Sequence, residues 1–285
     1  MAVPLQRHKL KTFDEVLAAA LKDMERSGYD SQERVDYWLK MLEEAAHRAM
    51  IPPDRLEKQL REYLHSIYQK QVERGAVLQR HKGIGEYAIT KVRPQLRQEL
   101  ERRKAAAFNL IKLNKAEEVE AMKRRFSGYA TSIPAGGTAV RDKDAKENIR
   151  KSISGLSYRE RRVLIDQGHK FQSAISEVVA TGGGAIAGVW HSHWKKPGYD
   201  YREDHKERDK LIYVVRDNWA IEKGFMRRSS NSHPYTDSIT KPGEEINCTC
   251  FYEWIYNPSE LPEDMLTDLG KRELERVERE IRAMA

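Results

Sequence analysis

The sequence predicts an α+β protein, with a mostly helical N-terminal half, a small α+β C-terminal domain of a few short strands, and a terminal helix. Three observations predict it. Apolar residues recur at helical spacing from Thr12 to about Phe126. Past residue 185 the pattern turns to short apolar and aromatic runs separated by turn-rich stretches, as strands do. From Pro262 the helical period returns.

Thr12-Phe13-Asp14-Glu15 reads as a capping box, in which the Thr oxygen and the Glu carboxylate each take an orphan backbone N–H. Val35, Trp38, Leu39, Leu42, Ala45, Ala46 and Ala49 then share one helical face. Pro52-Pro53 stops that helix, since proline lacks an N–H and restricts its predecessor. Asp54, with Glu57 three residues on, is expected to cap the next helix, whose stripe is Leu56, Leu60, Tyr63, Leu64, Ile67 and Gln71. After Gly83-Ile84-Gly85 a long helical stretch runs to about Phe126, with Pro94 expected to kink it or mark its start. Ser127-Gly128 and Pro134-Ala135-Gly136-Gly137 read as a linker.

Ser157-Tyr158-Arg159-Glu160 is a second capping-box pattern, opening a helix with Leu164, Ile165, Gly168, Phe171, Ile175, Val178 and Val179 on one face. Gly182-Gly183-Gly184 ends it, and no Gly-Lys-Ser/Thr accompanies these glycines to make them a phosphate cradle. Strands are expected over 185–194, 211–215 and 250–256. The last helix presents Leu266, Gly270, Leu274, Val277, Ile281 and Met284 on a face suited to docking or to a neighbouring subunit. The expected division is a helical domain over 1–127, a linker and connecting segment over 128–156, an α+β domain over 157–258, and a C-terminal helix over 259–285.

The 285 residues are 33% charged and 39% hydrophobic, with no uninterrupted apolar run long enough for a membrane span and no apolar leader at the start. The expectation is a soluble chain made in the cytoplasm, without a membrane partner. Two cysteines exclude a disulfide framework. The net charge of +7 is uneven: between Lys91 and Phe126 eleven Lys/Arg face five Glu. Arg102, Arg103 and Lys104, then Lys123, Arg124 and Arg125, are either a solvated helix surface or contacts to double-stranded DNA, which would bind through its phosphates.

Chemistry concentrates near the C-terminus. His191, His193, His205 and His233 share one region with Cys248 and Cys250. Thiolates and imidazoles are the ligands zinc selects, so His205, Cys248 and Cys250 with His193 (or His191 or His233) form a candidate zinc site. The spacing weighs against it: in a regular strand the two Cys of a C-x-C share one face about 7 Å apart, too far for one ion unless the chain bends. Buried, reduced thiols packing a small core are the other reading.

From Trp190 onward the sequence carries Asp200, Arg202-Glu203-Asp204-His205, Arg208-Asp209-Lys210, the apolar run 211–215, and Pro242-Gly243 leading to Asn247-Cys248-Thr249-Cys250. This order of Trp, Arg-x-x-His, Asp, an apolar strand and Asn-Cys-x-Cys resembles the phage Mu F-like minor capsid (head morphogenesis) family, over roughly residues 150–258. Two positions depart from it: Lys210 stands where the family has Gly, putting the tight turn after Asp209 in question, and Thr249 replaces an Arg. The resemblance implies a minor capsid protein of a tailed bacteriophage, structural in head morphogenesis, associated in several copies with the portal protein and other head subunits. It also implies a location in the virion and a link to DNA packaging. Trp190, Arg202, Asp204, His205, Asp209, Asn247, Cys248 and Cys250 are then structural motif residues, with Arg202 and Asp204 expected to pair and orient His205, and Asn247 to bridge backbone around the Cys pair.

Two other classes compete. One is a zinc-stabilised nucleic-acid-binding module, motivated by the His/Cys cluster and the basic segment. The other is an enzyme, either a hydrolase or toxin-like effector using His205 and Cys248 or a metal-dependent nuclease. No nucleophile elbow surrounds either cysteine, and no ordered His-Asn-His or paired acidic ligands appear, so the sequence favours a non-enzyme.

Overall fold

The computed structural model describes residues 12–27, 31–132, 142–153, 156–198 and 200–284. The fold is α+β. Its helices are α1 (Phe13–Ser27), α2 (Gln32–Ala49), α3 (Pro53–Tyr68), α4 (Glu86–Ser132), α5 (Asp142–Ile153), α6 (Leu156–Gly182), α7 (Glu203–Glu207), α8 (Trp219–Glu222) and α9 (Asp268–Met284). Its strands are β1 (Ala187–His191), β2 (Ile212–Val214) and β3 (Phe251–Ile255), inside the three expected stretches. Among the described residues, no helix is long and apolar enough to cross a membrane.

The chain forms two compact units, and neither is contiguous. One takes the described residues of 1–61 and 105–164, the other those of 62–104 and 165–285. A single cut after residue 127 therefore does not describe it, because α3, α4 and α6 each run from one unit into the other. Within the expected connecting segment, 128–132 continues α4 and 142–153 is α5, while 133–141, with Pro134-Ala135-Gly136-Gly137, lies outside the described residues.

In the first unit, Leu17 and Leu21 of α1, Trp38 and Leu42 of α2, Met122 and Phe126 of α4, and Ile149 of α5 form one buried cluster. Each such side chain contributes about 1.5–3 kcal/mol on leaving water. The capping box closes as expected: the Thr12 N–H donates to Glu15 Oε2 (3.0 Å) and the Glu15 N–H to Thr12 Oγ1 (3.2 Å). The two later caps differ. Helix α3 opens at Pro53, whose missing N–H costs nothing in a first turn, so Asp54 lies inside the helix. Helix α6 opens at Leu156, and Glu160 is buried in an ion pair with Lys115 (2.9 Å) instead of reaching back to a cap. Pro94 neither starts nor ends α4, which begins at Glu86 and runs through it.

In the second unit the sheet is antiparallel, in the order β2-β1-β3, with Trp190 opposite Tyr252 and His191 opposite Phe251. The three glycines after Thr181 have distinct tasks. A Cβ on Gly182 would lie 2.1 Å from Val92 Cγ1 of α4, and one on Gly183 would meet the Val179 carbonyl at 2.9 Å. Gly184 takes the left-handed conformation (φ 86°). Its N–H reaches the Thr181 carbonyl (3.2 Å) and that of Ala185 reaches Ala180 (2.9 Å), a Schellman ending that turns the chain into β1. The run is thus a close helix contact followed by a helix stop.

Candidate metal centre

Three segments bring the site together. Strand β1 buries Trp190 completely, α7 carries His205, and the turn before β3 carries Cys248 and Cys250. Strand β3 begins only at Phe251, so the C-x-C pair precedes the paired strand. Asn247, left-handed at φ 59°, precedes it, and the Cys248 N–H closes a turn on the Glu245 carbonyl (3.1 Å). The two sulfurs lie closer together than the spacing of a regular strand allows. His205 Nδ1 lies 3.6 Å from Cys248 Sγ and 3.5 Å from Cys250 Sγ, and the three donor atoms all lie within 4.8 Å of one another. All three residues are buried and neither cysteine is in a disulfide. The triad can hold a metal ion.

Its surroundings fix the ring and the thiols. His205 packs edge-on against Trp190 (5.3 Å between ring centres), which Tyr252 meets from another side at 5.6 Å. The other ring nitrogen, Nε2, faces the Glu245 carboxylate at 3.4 Å. Arg202 holds that carboxylate (2.6 Å) and also donates to the Ile246 carbonyl (3.0 Å). The carboxylate thus stands on the Nε2 side of the ring, without a hydrogen bond to it in this structure, and the sulfurs on the Nδ1 side. The Cys248 thiol is lowered to about 6, first by the hydrogen bond from Cys250 and then, against burial, by the Gly243 N–H (3.3 Å). Sharing that proton raises the Cys250 thiol in turn, and burial adds to it.

No family model, no curated protein and no solved structure matches the chain.

Not all the sequence candidates converge here. Among the described residues His193 is not part of the triad; its ring tilts against Phe251 at 5.8 Å. His191 pairs with Glu253 (3.0 Å) and His233 with Asp264 (3.1 Å). The expected Arg202–Asp204 pair does not form, because Asp204 turns to Arg208 (2.8 Å), one helical turn on, and Arg202 to Glu245. Asp209 anchors the loop after β1 through the Ser192 N–H (2.8 Å) and Trp194 Nε1 (3.2 Å). The turn after it forms despite the missing glycine: Lys210 adopts φ 68° and its N–H donates to the Trp190 carbonyl (2.7 Å). Asn247 is tied through its backbone N–H to Asp166 (2.6 Å).

The basic clusters are engaged locally. Arg102 and Arg103 both hold Glu99 (2.7 and 2.6 Å), Lys104 holds Glu101 (2.8 Å), and Lys123 holds Glu120 (2.9 Å). Arg125 donates to Ser152 Oγ (2.7 Å), and Arg124 is exposed. Glu245 is the site residue that sequence reasoning missed. A glutamate three positions before a cysteine carries no signal of its own until α7 is folded against it.

Proposed function

We propose that residues 165–284 contain a zinc-braced module, and that the chain serves as a minor head protein of a tailed bacteriophage, acting as structure at or near the portal and not as an enzyme. The observation that carries the zinc reading is the pair of His205 Nδ1–sulfur distances, 3.5 and 3.6 Å. With Zn–S near 2.3 Å and Zn–N near 2.0–2.1 Å, a tetrahedral site has an N···S edge of about 3.6 Å. Both edges therefore have the length one ion would set. The carboxylate behind Nε2 supports the same reading, since metal-bound histidines usually donate their second N–H to such a group. Two thiolates and an imidazole are soft donors suited to zinc over calcium or magnesium.

The head-protein role rests on the resemblance, and the placement of its motif residues supports it. Trp190, His205, Cys248 and Cys250 share one buried cluster, while Arg202, Asp204, Asp209 and Asn247 tie down the loops around it. This is a brace for a loop-rich domain. For the DNA contact in that reading, five of the six singled-out cations have partners on the protein, mostly i,i+3 or i,i+4 pairs of the kind that contribute little and exchange readily.

Metal analysis of protein purified without chelator tests the zinc reading. One zinc per chain is expected, falling to a small fraction in Cys248→Ser. Chain free of zinc in both, with unchanged thermal stability, would leave the thiols as core packing and overturn it. Co-expression with a portal protein, followed by sedimentation, tests the second part: co-migration with the portal ring supports the head role, and separate migration counts against it.

A further inference from the structure

Cys248 and Cys250 of the triad also line a cavity of about 240 Å³, whose walls include Arg80, His169, His193, Lys241 and Tyr252. His205 is not among its walls; it is 2% exposed and enters from the sealed side, backed by Trp190. An ion held by these three donors would have one remaining tetrahedral vertex. The packed indole lies on the His205 side and the cavity on the side of the two cysteines, so the cavity is where an outside ligand would reach that vertex.

The cavity is polar, and two of its walls hold polar atoms without a use. Tyr252 is 6% exposed, and its hydroxyl has no hydrogen-bond partner; the Nδ1 of His193 is likewise buried and unpartnered. Buried polar atoms of this kind cost stability unless something meets them. Among the charged residues of the walls, Lys241 is paired with Glu177, which leaves the Arg80 guanidinium as the excess positive charge. Three protein ligands plus one open position is how zinc is held where it must accept an outside ligand, whereas sites that only brace a fold are closed by four.

We infer that a metal ion held by Cys248, Cys250 and His205 keeps its fourth coordination position open to this cavity and takes there a small anion or water, with the Tyr252 hydroxyl donating to that ligand. The inference rests on the metal reading above and deepens it, replacing a closed brace by one with an exchangeable ligand.

Cobalt substitution tests it. The zinc-stripped chain, kept reduced with a non-coordinating phosphine, is loaded with one equivalent of cobalt(II) and titrated with sodium azide while the visible d–d bands are recorded. The expected result is a tetrahedral thiolate-cobalt spectrum that azide shifts saturably. Tyr252→Phe is expected to bind cobalt with unchanged stoichiometry and to weaken azide about tenfold, the loss of one hydrogen bond to a charged group. His193→Ala is expected to leave the azide-free spectrum in place. A cobalt spectrum indifferent to azide overturns the inference, and one that also changes in His193→Ala identifies His193 as a closing fourth ligand. Failure of the parent chain to take up cobalt overturns the metal reading itself, and this inference with it.

Discussion

Replacing Glu245 by glutamine separates a metal centre from a packed pair of thiols, because Glu245 touches neither sulfur. Its carboxylate faces His205 Nε2 at 3.4 Å and is itself held by Arg202 at 2.6 Å. If His205 binds a metal through Nδ1, the carboxylate acts through the ring: it fixes the tautomer and makes Nδ1 a better donor. Removing such an outer partner costs 10–100-fold in affinity, about 1.4–2.7 kcal/mol. Glutamine keeps the size and can still accept from Nε2–H through its amide oxygen, so the lower end, about tenfold, is expected. The assay is competition for zinc against a chromogenic chelator at pH 7.5, beside thermal unfolding of the stripped and loaded forms. The expected result is weaker zinc binding with the stripped form barely affected. Zinc affinity within twofold of the parent would refute the reasoning, and so would an equal loss of stability in the stripped and loaded forms, which would make Glu245 a packing residue.

Three further outcomes follow from other parts of the fold. Gly182→Ala places a methyl 2.1 Å from Val92 Cγ1, so it should cost about 1–3 kcal/mol in chemical unfolding, with Val92→Ala restoring part of it; a neutral single variant would refute the contact. Lys210→Gly relieves a left-handed backbone at φ 68° and should raise stability by up to about 1 kcal/mol, the gain being offset in part by the greater freedom of glycine in the unfolded chain. A midpoint lowered by the glycine would show that Lys210 contributes more than its backbone angle costs. His81 is 1% exposed between the Tyr256 hydroxyl (2.6 Å) and Ser176 (3.1 Å), and burial first, then Arg80, lowers it to about 4. An unfolded histidine titrates near 6.5, so between those values the unfolded chain binds the extra proton. His81 therefore leaves stability untouched above pH 6.5 and removes up to about 3 kcal/mol as pH falls from 6.5 through 4. The acid slope of unfolding should be shallower in His81→Gln, and an unchanged slope would remove His81 from the account.

Much of the helical architecture was legible because its signals are local. The Thr12 capping box, the α2 stripe and the three strand segments depend on residues within a few positions of one another, and each is found where the sequence placed it. The division into units was not legible, because it depends on where α3, α4 and α6 pass between cores, and a helix stripe does not say which partner it will meet. Gly128 illustrates the limit: beside a run of Pro and Gly it reads as the start of a linker, yet it is held within α4, whose next two residues, Tyr129 and Ala130, are buried in the first unit's core.

The candidate site divides along the same line. Residue types alone brought His205, Cys248 and Cys250 together, since few other combinations offered soft donors. The argument against them assumed that C-x-C lies in a strand. A single left-handed residue, Asn247, and a strand that starts one residue after Cys250 remove that assumption. Strand propensity could not decide this, because the bend belongs to the turn that the Glu245 carbonyl and Asp166 hold in place. The same turn carries Glu245 to the far side of His205, so the geometry that aims both sulfurs at Nδ1 also supplies the carboxylate at Nε2. Both cysteine ligands and the carboxylate behind the histidine thus come from one six-residue stretch, Glu245 to Cys250, folding against one short helix. A change that straightens Asn247 should therefore loosen both at once, whereas a change in either ligand alone should leave the other's geometry standing.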